Sequence, residues 1–264
     1  AATSVSGEVM CVVRRGNETG SYAEFDVGRR TSDIDLPRVG ELAARGAVRY
    51  LGAKMMQGGE MPLVLGPLAG SDFLASIARA ASAEPIQHDR SFLKGAIGER
   101  IAAPCLPLED DGRFPAGMHS SSRDGEGTPR RPMLIIDKGE FANVLHNSYT
   151  AGKADARSTG HGSQFGGIAP TNLRPALGAR TEEELIAAAG DGVYIESCML
   201  SPNPVTGEIS ATIDWAMKIE GGELAYPVSG IAVSGNVRKL MKDLVEVSAD
   251  CREEPGTLMP AMRF

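Results

Sequence analysis

Length, composition and charge exclude several classes of protein. The chain has 264 residues, of which 42% are hydrophobic and 23% charged, so it can bury one large core, or one core and part of a second. Its formal charge of -7 argues against nucleic-acid binding, because nucleic-acid binders normally carry a basic surface. No run approaches the ~20 apolar residues that span a bilayer, and the N-terminus lacks the basic start and apolar stretch of a secretory signal.

The four cysteines indicate a reducing compartment. They are widely spaced and include no C-x-x-C pair, which argues against a zinc ribbon and against a disulfide-rich secreted scaffold. We therefore expect a cytoplasmic protein. The chain does not begin with Met, which indicates a product that is processed, trimmed or split from a longer one.

The first 60 residues predict a hairpin followed by one helix. The strands "GEVMCVVRR" and "GSYAEFDVGRR" flank a turn that we place at Asn17–Gly20. The helix follows in "DIDLPRVGELAARGAVRYLGAKM", with Asp35 as its N-cap and Pro37 in its first turn. "QGGEMP" has the composition of a linker, so we divide the chain near Met61 into regions 1–60 and 61–264.

The second region opens with a short strand, "LVLG", and an amphipathic helix, "SDFLASIARAASA". Pro104–Arg131 is rich in Pro, Gly, Ser and charge, which predicts a long surface loop with at most short strands. A hairpin follows and turns at Asp137-Lys138-Gly139. Thr181 and Glu184 then form a capping-box pattern at the start of a short helix.

The clearest strand is "ISATIDWAMKIE", in which apolar and polar residues alternate over about twelve positions. "EGGE" turns the chain back, "LAYPV" returns antiparallel, and Asn236 is a good N-cap for a final helix. The pattern as a whole predicts an α+β fold with mainly antiparallel sheets, hairpins and a few packed helices.

Spacing alone identifies no catalytic motif. The four histidines include no pair one helical turn apart, although a long-range metal site built from His146, His161 and a carboxylate stays open. Ser229 and Ser234 each precede a glycine, but neither fits G-x-S-x-G. "DGEGTPRR" and "SGIAVSGN" fit no phosphate-loop pattern, so the helix start at Asn236 is either an anion site or only a cap.

The stretch "STGHGSQFGG" is polar and rich in glycine. Side chains such as Ser158, Thr159 and His161 could hydrogen-bond an extended peptide, and the glycines would let its backbone approach closely. A flexible loop is the alternative interpretation. From composition and spacing alone, the prediction ends at an α+β protein of undefined chemistry.

The order of several segments resembles the TldD/PmbA family of peptidase subunits. The matching marks are Ser148-Tyr149-Thr150, Ser158-Thr159-Gly160, Asn203-Pro204-Val205-Thr206-Gly207 and the stretch from Gly222 to Asn236, together with "PLVLGPLAGSDFLASIARAAS" and "SFLKGAIGERI". This resemblance covers most of the chain from Met61 onward and continues more weakly to residue 1. It implies that 61–264 is the C-terminal domain of the family, that 1–60 is the remainder of its middle α+β region, and that the usual N-terminal part is missing.

The resemblance also implies which kind of subunit this is. TldD-type members carry His-Glu-x-x-x-His and a late Cys-Gly as zinc ligands, whereas PmbA (TldE)-type members lack them. Here the ligand positions fall at Pro67, Asp72 and Pro255, where the imidazoles and the thiolate are lost. We therefore expect no metal and no catalytic residue in this chain, with zinc in a TldD-type partner.

The implied function is that of a non-catalytic, substrate-shaping subunit of a heterodimeric zinc metallopeptidase. Its substrates would be unstructured peptides or peptide-like natural-product intermediates, which can bind by adding a strand to an exposed sheet edge. Pro227 marks such an edge because it cannot donate to a ladder. The candidate residues for binding peptide or partner are Ser158, Thr159, His161, Tyr226, Pro227, Ser229 and Asn236.

Two other functions stay open. One is a protein-binding modulator without a peptidase role, in keeping with an older association of this family with DNA gyrase. Direct contact with DNA is not expected, since the chain is acidic. The other is an independent hydrolase with an unrecognised site around His161 or in the Pro104–Arg131 loop.

Overall fold

The computed structural model describes residues 3–198, 200 and 202–264. Within these residues the chain forms thirteen strands and six α-helices. The strands are β1 (Val5–Arg15), β2 (Glu18–Gly28), β3 (Leu63–Leu65), β4 (Leu108–Asp111), β5 (Pro132–Asp137), β6 (Glu140–Phe141), β7 (Leu173–Pro175), β8 (Gly192–Cys198), β9 (Glu208–Glu220), β10 (Glu223–Val228), β11 (Ala232–Asn236), β12 (Glu246–Glu254) and β13 (Thr257–Arg263). The helices are α1 (Leu36–Arg49), α2 (Pro67–Ala80), α3 (Ala83–Gln87), α4 (Ser148–Lys153), α5 (Glu182–Ala189) and α6 (Val237–Asp243).

The described strands form three sheets. β1 and β2 make a two-stranded sheet, and β6-β5-β4-β7 make a four-stranded one. The largest has seven strands in the order β10-β9-β8-β3-β13-β12, with β11 also paired to β9. Only β3 and β8 pair in parallel within these sheets. The predicted α+β class with mainly antiparallel sheets is therefore confirmed.

The first hairpin is present, but its turn is not at Asn17–Gly20. Arg15 pairs with Glu18, so the loop consists of Gly16 and Asn17. Gly16 has a φ of 61°, which suits the first central position of a type II′ turn. Gly20 instead lies inside β2 against α1, where an added Cβ would come within 2.2 Å of the Ala47 carbonyl oxygen.

Helix α1 packs on one face of this hairpin. Asp35 caps it by accepting a hydrogen bond from the backbone N–H of Arg38 at 3.0 Å, as predicted. Its buried face consists of Val39, Ala43, Gly46 and Ala47. Gly46 is required there, because a Cβ would lie 2.3 Å from the ring of Tyr22.

The main core lies between the seven-stranded and four-stranded sheets. Helix α2 follows β3 directly and begins at Pro67, four residues before the predicted start at Ser71. Phe73, Leu74 and Ile77 of α2 are fully buried. Gly70 permits the close approach of β13, since a Cβ there would come within 2.8 Å of the Pro260 carbonyl.

The strand pattern around β9 is confirmed in detail. Ile209, Ala211 and Ile213 alternate with exposed residues. β10 and β11 both lie along the side of β9 opposite β8 and form an edge of the sheet. Val228 pairs with Ala216 and Ala232 pairs with Thr212, so β10 and β11 keep one register across the break between them.

Segment 104–131 is largely irregular, as predicted, and contains the short strand β4. The predicted hairpin turn after Asp137 is also present, because Asp137 pairs with Glu140. No helix in the part of the chain that the structure describes is long and apolar enough to cross a membrane.

Candidate functional site

A cavity of about 580 Å³ lies where the hairpin meets the seven-stranded sheet. The first residues of α2 and of α5 line it, and α1, β2, β8, β10 and β12 supply the remaining lining residues. Its lining residues are Tyr22, Glu24, Arg49, Pro67, Leu68, Glu182, Glu183, Ile186, Tyr194, Glu196, Leu224, Asp250 and Arg252.

Glu196 on β8 organises the wall nearest the hairpin. Its carboxylate accepts hydrogen bonds from the hydroxyls of Tyr22 at 2.8 Å and Tyr50 at 2.5 Å. It also forms an ion pair with Arg49. Burial and the adjacent Glu196 charge raise the pKa of both tyrosines, so both hydroxyls keep their protons and act as donors.

A second carboxylate, Glu182, is held at the start of α5. The Tyr194 hydroxyl donates to it at 2.6 Å. The backbone N–H of Glu182 donates to Asp250 at 2.7 Å. Burial raises the pKa of Glu182, and the hydrogen bond from Tyr194 opposes that shift.

The third carboxylate, Glu24, is paired with Arg252 at 2.7 Å. The same guanidinium lies 4.4 Å from the centroid of the Phe25 ring and donates to the Phe25 carbonyl. Two of the lining acids therefore have arginine partners, whereas Glu182, Glu183 and Asp250 leave the cavity with an excess of negative charge.

One of the three positions expected for lost zinc ligands, Pro67, lies in the wall of this cavity. Pro67 and Leu68 line it at the first turn of α2. Asp72 follows about one turn later on the same helix and is exposed. Pro255 and Gly256 form the tight turn between β12 and β13, where Gly256 has a φ of 92°.

These residues do not fit a zinc ion. Proline offers no side-chain ligand at either position, and Asp72 alone provides a single carboxylate where structural and catalytic zinc sites use three or four donors. The Pro255 carbonyl is already used, because it accepts a hydrogen bond from the backbone N–H of Met118 at 2.7 Å. No group of three potential ligand side chains occurs among residues 3–198, 200 and 202–264.

In "STGHGSQFGG" the candidate side chains Thr159 and His161 are buried and Ser158 is partly buried, whereas Phe165 is 94% exposed. The Thr159 hydroxyl accepts from the backbone N–H of His146 at 2.7 Å and lies 2.9 Å from Nδ1 of His161. Nε2 of His161 is 3.4 Å from Asp110, and His161 is 2% exposed. Ser158 donates to the His146 carbonyl at 3.4 Å. This group forms a buried network that holds two loops together.

The edge residues of β10 are partly occupied by the chain itself. The backbone N–H of Lys54 donates to the Pro227 carbonyl at 2.9 Å, and Ser229 donates back to the Lys54 carbonyl at 3.0 Å. The Lys54 ammonium also lies 5.3 Å from the Tyr226 ring centroid. A peptide could not pair at Pro227 and Ser229 without displacing Lys54.

Among the residues that the structure describes, no segment pairs with the outer side of β11. The backbone N–H of Ile213 donates to the Ile231 carbonyl, and the backbone N–H of Val237 donates to the Gly207 carbonyl. The backbone groups of the odd-numbered residues of β11 therefore face β9. Ala232 and Ser234 therefore direct their backbone groups toward the open side. Asn236 is committed to structure: its side chain accepts from the Arg238 N–H and donates to the Thr206 carbonyl, both at 2.9 Å.

Sequence reasoning missed the residues of the cavity. Glu196, Tyr22, Tyr50 and Glu182 carry no motif, and their contacts join parts of the chain up to 174 residues apart. One signal was available: Glu196 interrupts the apolar run "GVYI" of a buried strand. A carboxylate at the end of such a run needs polar partners when it folds inward.

Comparison with known proteins identifies the family. Residues 58–264 match the model of the PmbA/TldA metallopeptidase C-terminal domain. Metalloprotease PmbA of Escherichia coli O157:H7 is 28% identical over 265 residues, which cover 96% of this chain and 57% of that protein. A metalloprotease of Methanothermobacter thermautotrophicus is 28% identical over 241 residues, which cover 88% of this chain and 52% of its own.

Two solved structures share the fold. TldE of Thermococcus kodakarensis superposes with a TM-score of 0.88 at 26% identity, covering 99% of this chain and 61% of its own. A Thermotoga maritima protein described as a candidate modulator of a DNA gyrase superposes with a TM-score of 0.91 at 29% identity, covering 98% and 60%. This chain thus spans somewhat more than half the length of these relatives, and it belongs to the PmbA/TldD family.

Proposed function

We propose that this chain is a metal-free, substrate-shaping subunit of a TldD/TldE-type metallopeptidase. In this proposal a TldD-type partner carries the zinc and all of the peptidase chemistry. The substrates are unstructured peptides or peptide-like natural-product intermediates, and the complex acts in the cytoplasm. The likeness to TldE and to PmbA supports the choice of family role.

The observation that carries the proposal is the composition of the ligand positions. α2 and the β12–β13 turn offer Pro67, Leu68, Asp72 and Pro255, and one carboxylate cannot replace two imidazoles and a thiolate. The cavity beside α2 is built instead from carboxylates that tyrosines and arginines already hold. These side chains can bind and orient a peptide but supply no activated nucleophile.

The shaping role is assigned to the β11 edge. A peptide that adds a strand there meets the outward backbone groups of Ala232 and Ser234. Lys54 is already hydrogen-bonded to Pro227 and Ser229, so an added strand cannot continue along β10. The added strand must therefore end at β11.

The test compares the chain alone, a TldD-type chain alone and an equimolar mixture of both. We expect less than stoichiometric zinc in this chain by elemental analysis, no hydrolysis of an unstructured peptide by this chain alone, and higher activity in the mixture than in the TldD-type chain. Stoichiometric zinc in this chain, or hydrolysis by it alone, would overturn the proposal.

The modulator function is the second candidate, favoured by the description of the Thermotoga maritima structure. It is distinguished in the same experiment. A mixture that forms no complex and gains no activity would favour it over the peptidase role.

A further inference from the structure

We draw no further inference here: the strongest candidate, the acidic corner of the cavity at Glu182, Glu183 and Asp250, belongs to the site already described, and no second feature among the described residues identifies a ligand for it.

Discussion

The hydroxyl of Tyr50, at the end of α1, lies 2.5 Å from Oε2 of Glu196 on β8. This bond and that of Tyr22 to the same carboxylate join the N-terminal hairpin and helix to the main sheet. Trp215 adds a third tie, since its indole N–H donates to the Ser21 carbonyl at 2.7 Å. These three bonds hold the hairpin and α1 against β8 and β9 at one side of the cavity.

Replacing Glu196 should loosen this junction. Glu196→Ala leaves two tyrosine hydroxyls and the Arg49 guanidinium without their shared acceptor, so we expect the free energy of unfolding to fall by about 2 kcal/mol. Chemical denaturation measures the change. Glu41→Ala breaks an exposed pair with Arg45 on α1 and should cost less than about 0.5 kcal/mol. An equal loss in both variants would contradict the role given to Glu196.

The pH dependence of stability should report on Glu182. Burial raises the pKa of Glu182 in the folded state. Between the ordinary pKa and this raised value, the folded chain keeps a proton on Glu182 that the unfolded chain releases. The resulting stability is fully present below the ordinary pKa of about 4.5 and is lost as the pH rises through the raised folded value. Glu182→Gln removes this loss.

We therefore expect Glu182→Gln to be more stable than the wild type at neutral pH, with the difference vanishing at acidic pH. Denaturant titrations at several pH values give the comparison. Glu183→Gln is the matched control, because Glu183 is the exposed neighbour on the same helix turn. A gain independent of pH, or one shared by the control, would contradict the assignment.

The thiol of Cys198 should be inert in the folded protein. Burial raises its pKa to about 12, with Asp72 and Asp214 adding to the shift, so little thiolate exists near neutral pH. Alkylation of the native chain followed by mass mapping should leave Cys198 unmodified, and unfolding should expose it at once. Rapid native labelling of Cys198 would show that β8 opens locally.

Local signals predicted much of this fold. The alternation of β9, the Asp35 cap and the Thr181–Glu184 capping box each depend on residues within one element, and all three are present. The turn after Arg15 was misplaced because Gly16 and Gly20 both suit turns, and only the packing of Gly20 against Ala47 excludes the second.

The candidate site was less accessible from the sequence. Tyr22 and Glu196 meet across 174 residues, and no local pattern encodes that pairing. Thr159 and His161 are candidates because they are polar and lie near glycines. Polar side chains of this kind can equally be buried when the interior offers hydrogen-bond partners, as Asp110 does for His161. The division near Met61 stays a prediction.

Strand addition at β11 can be tested by a single backbone change. Ser234→Pro removes an N–H that faces the open edge and leaves the bonds of β11 to β9 intact. In a complex with a TldD-type chain we expect KM for an unstructured peptide to rise by about threefold to tenfold, as for one lost hydrogen bond. Ser234→Ala retains the N–H and should behave as wild type. Unchanged KM in Ser234→Pro would exclude this edge as the peptide site.

His161 separates the peptidase-subunit role from an independent hydrolase. It is buried against Thr159 and Asp110, so His161→Ala should lower the free energy of unfolding by about 2 kcal/mol through the lost contacts with these two side chains and the cavity left behind. Activity of the mixed complex, measured well below the unfolding temperature, should change by less than about tenfold in kcat/KM. Asp72→Ala, at an exposed position of α2, should also leave kcat/KM nearly unchanged, without the loss of stability. A collapse of kcat/KM in His161→Ala while the fold and the complex persist would place the chemistry in this chain and overturn its assignment as the non-catalytic subunit.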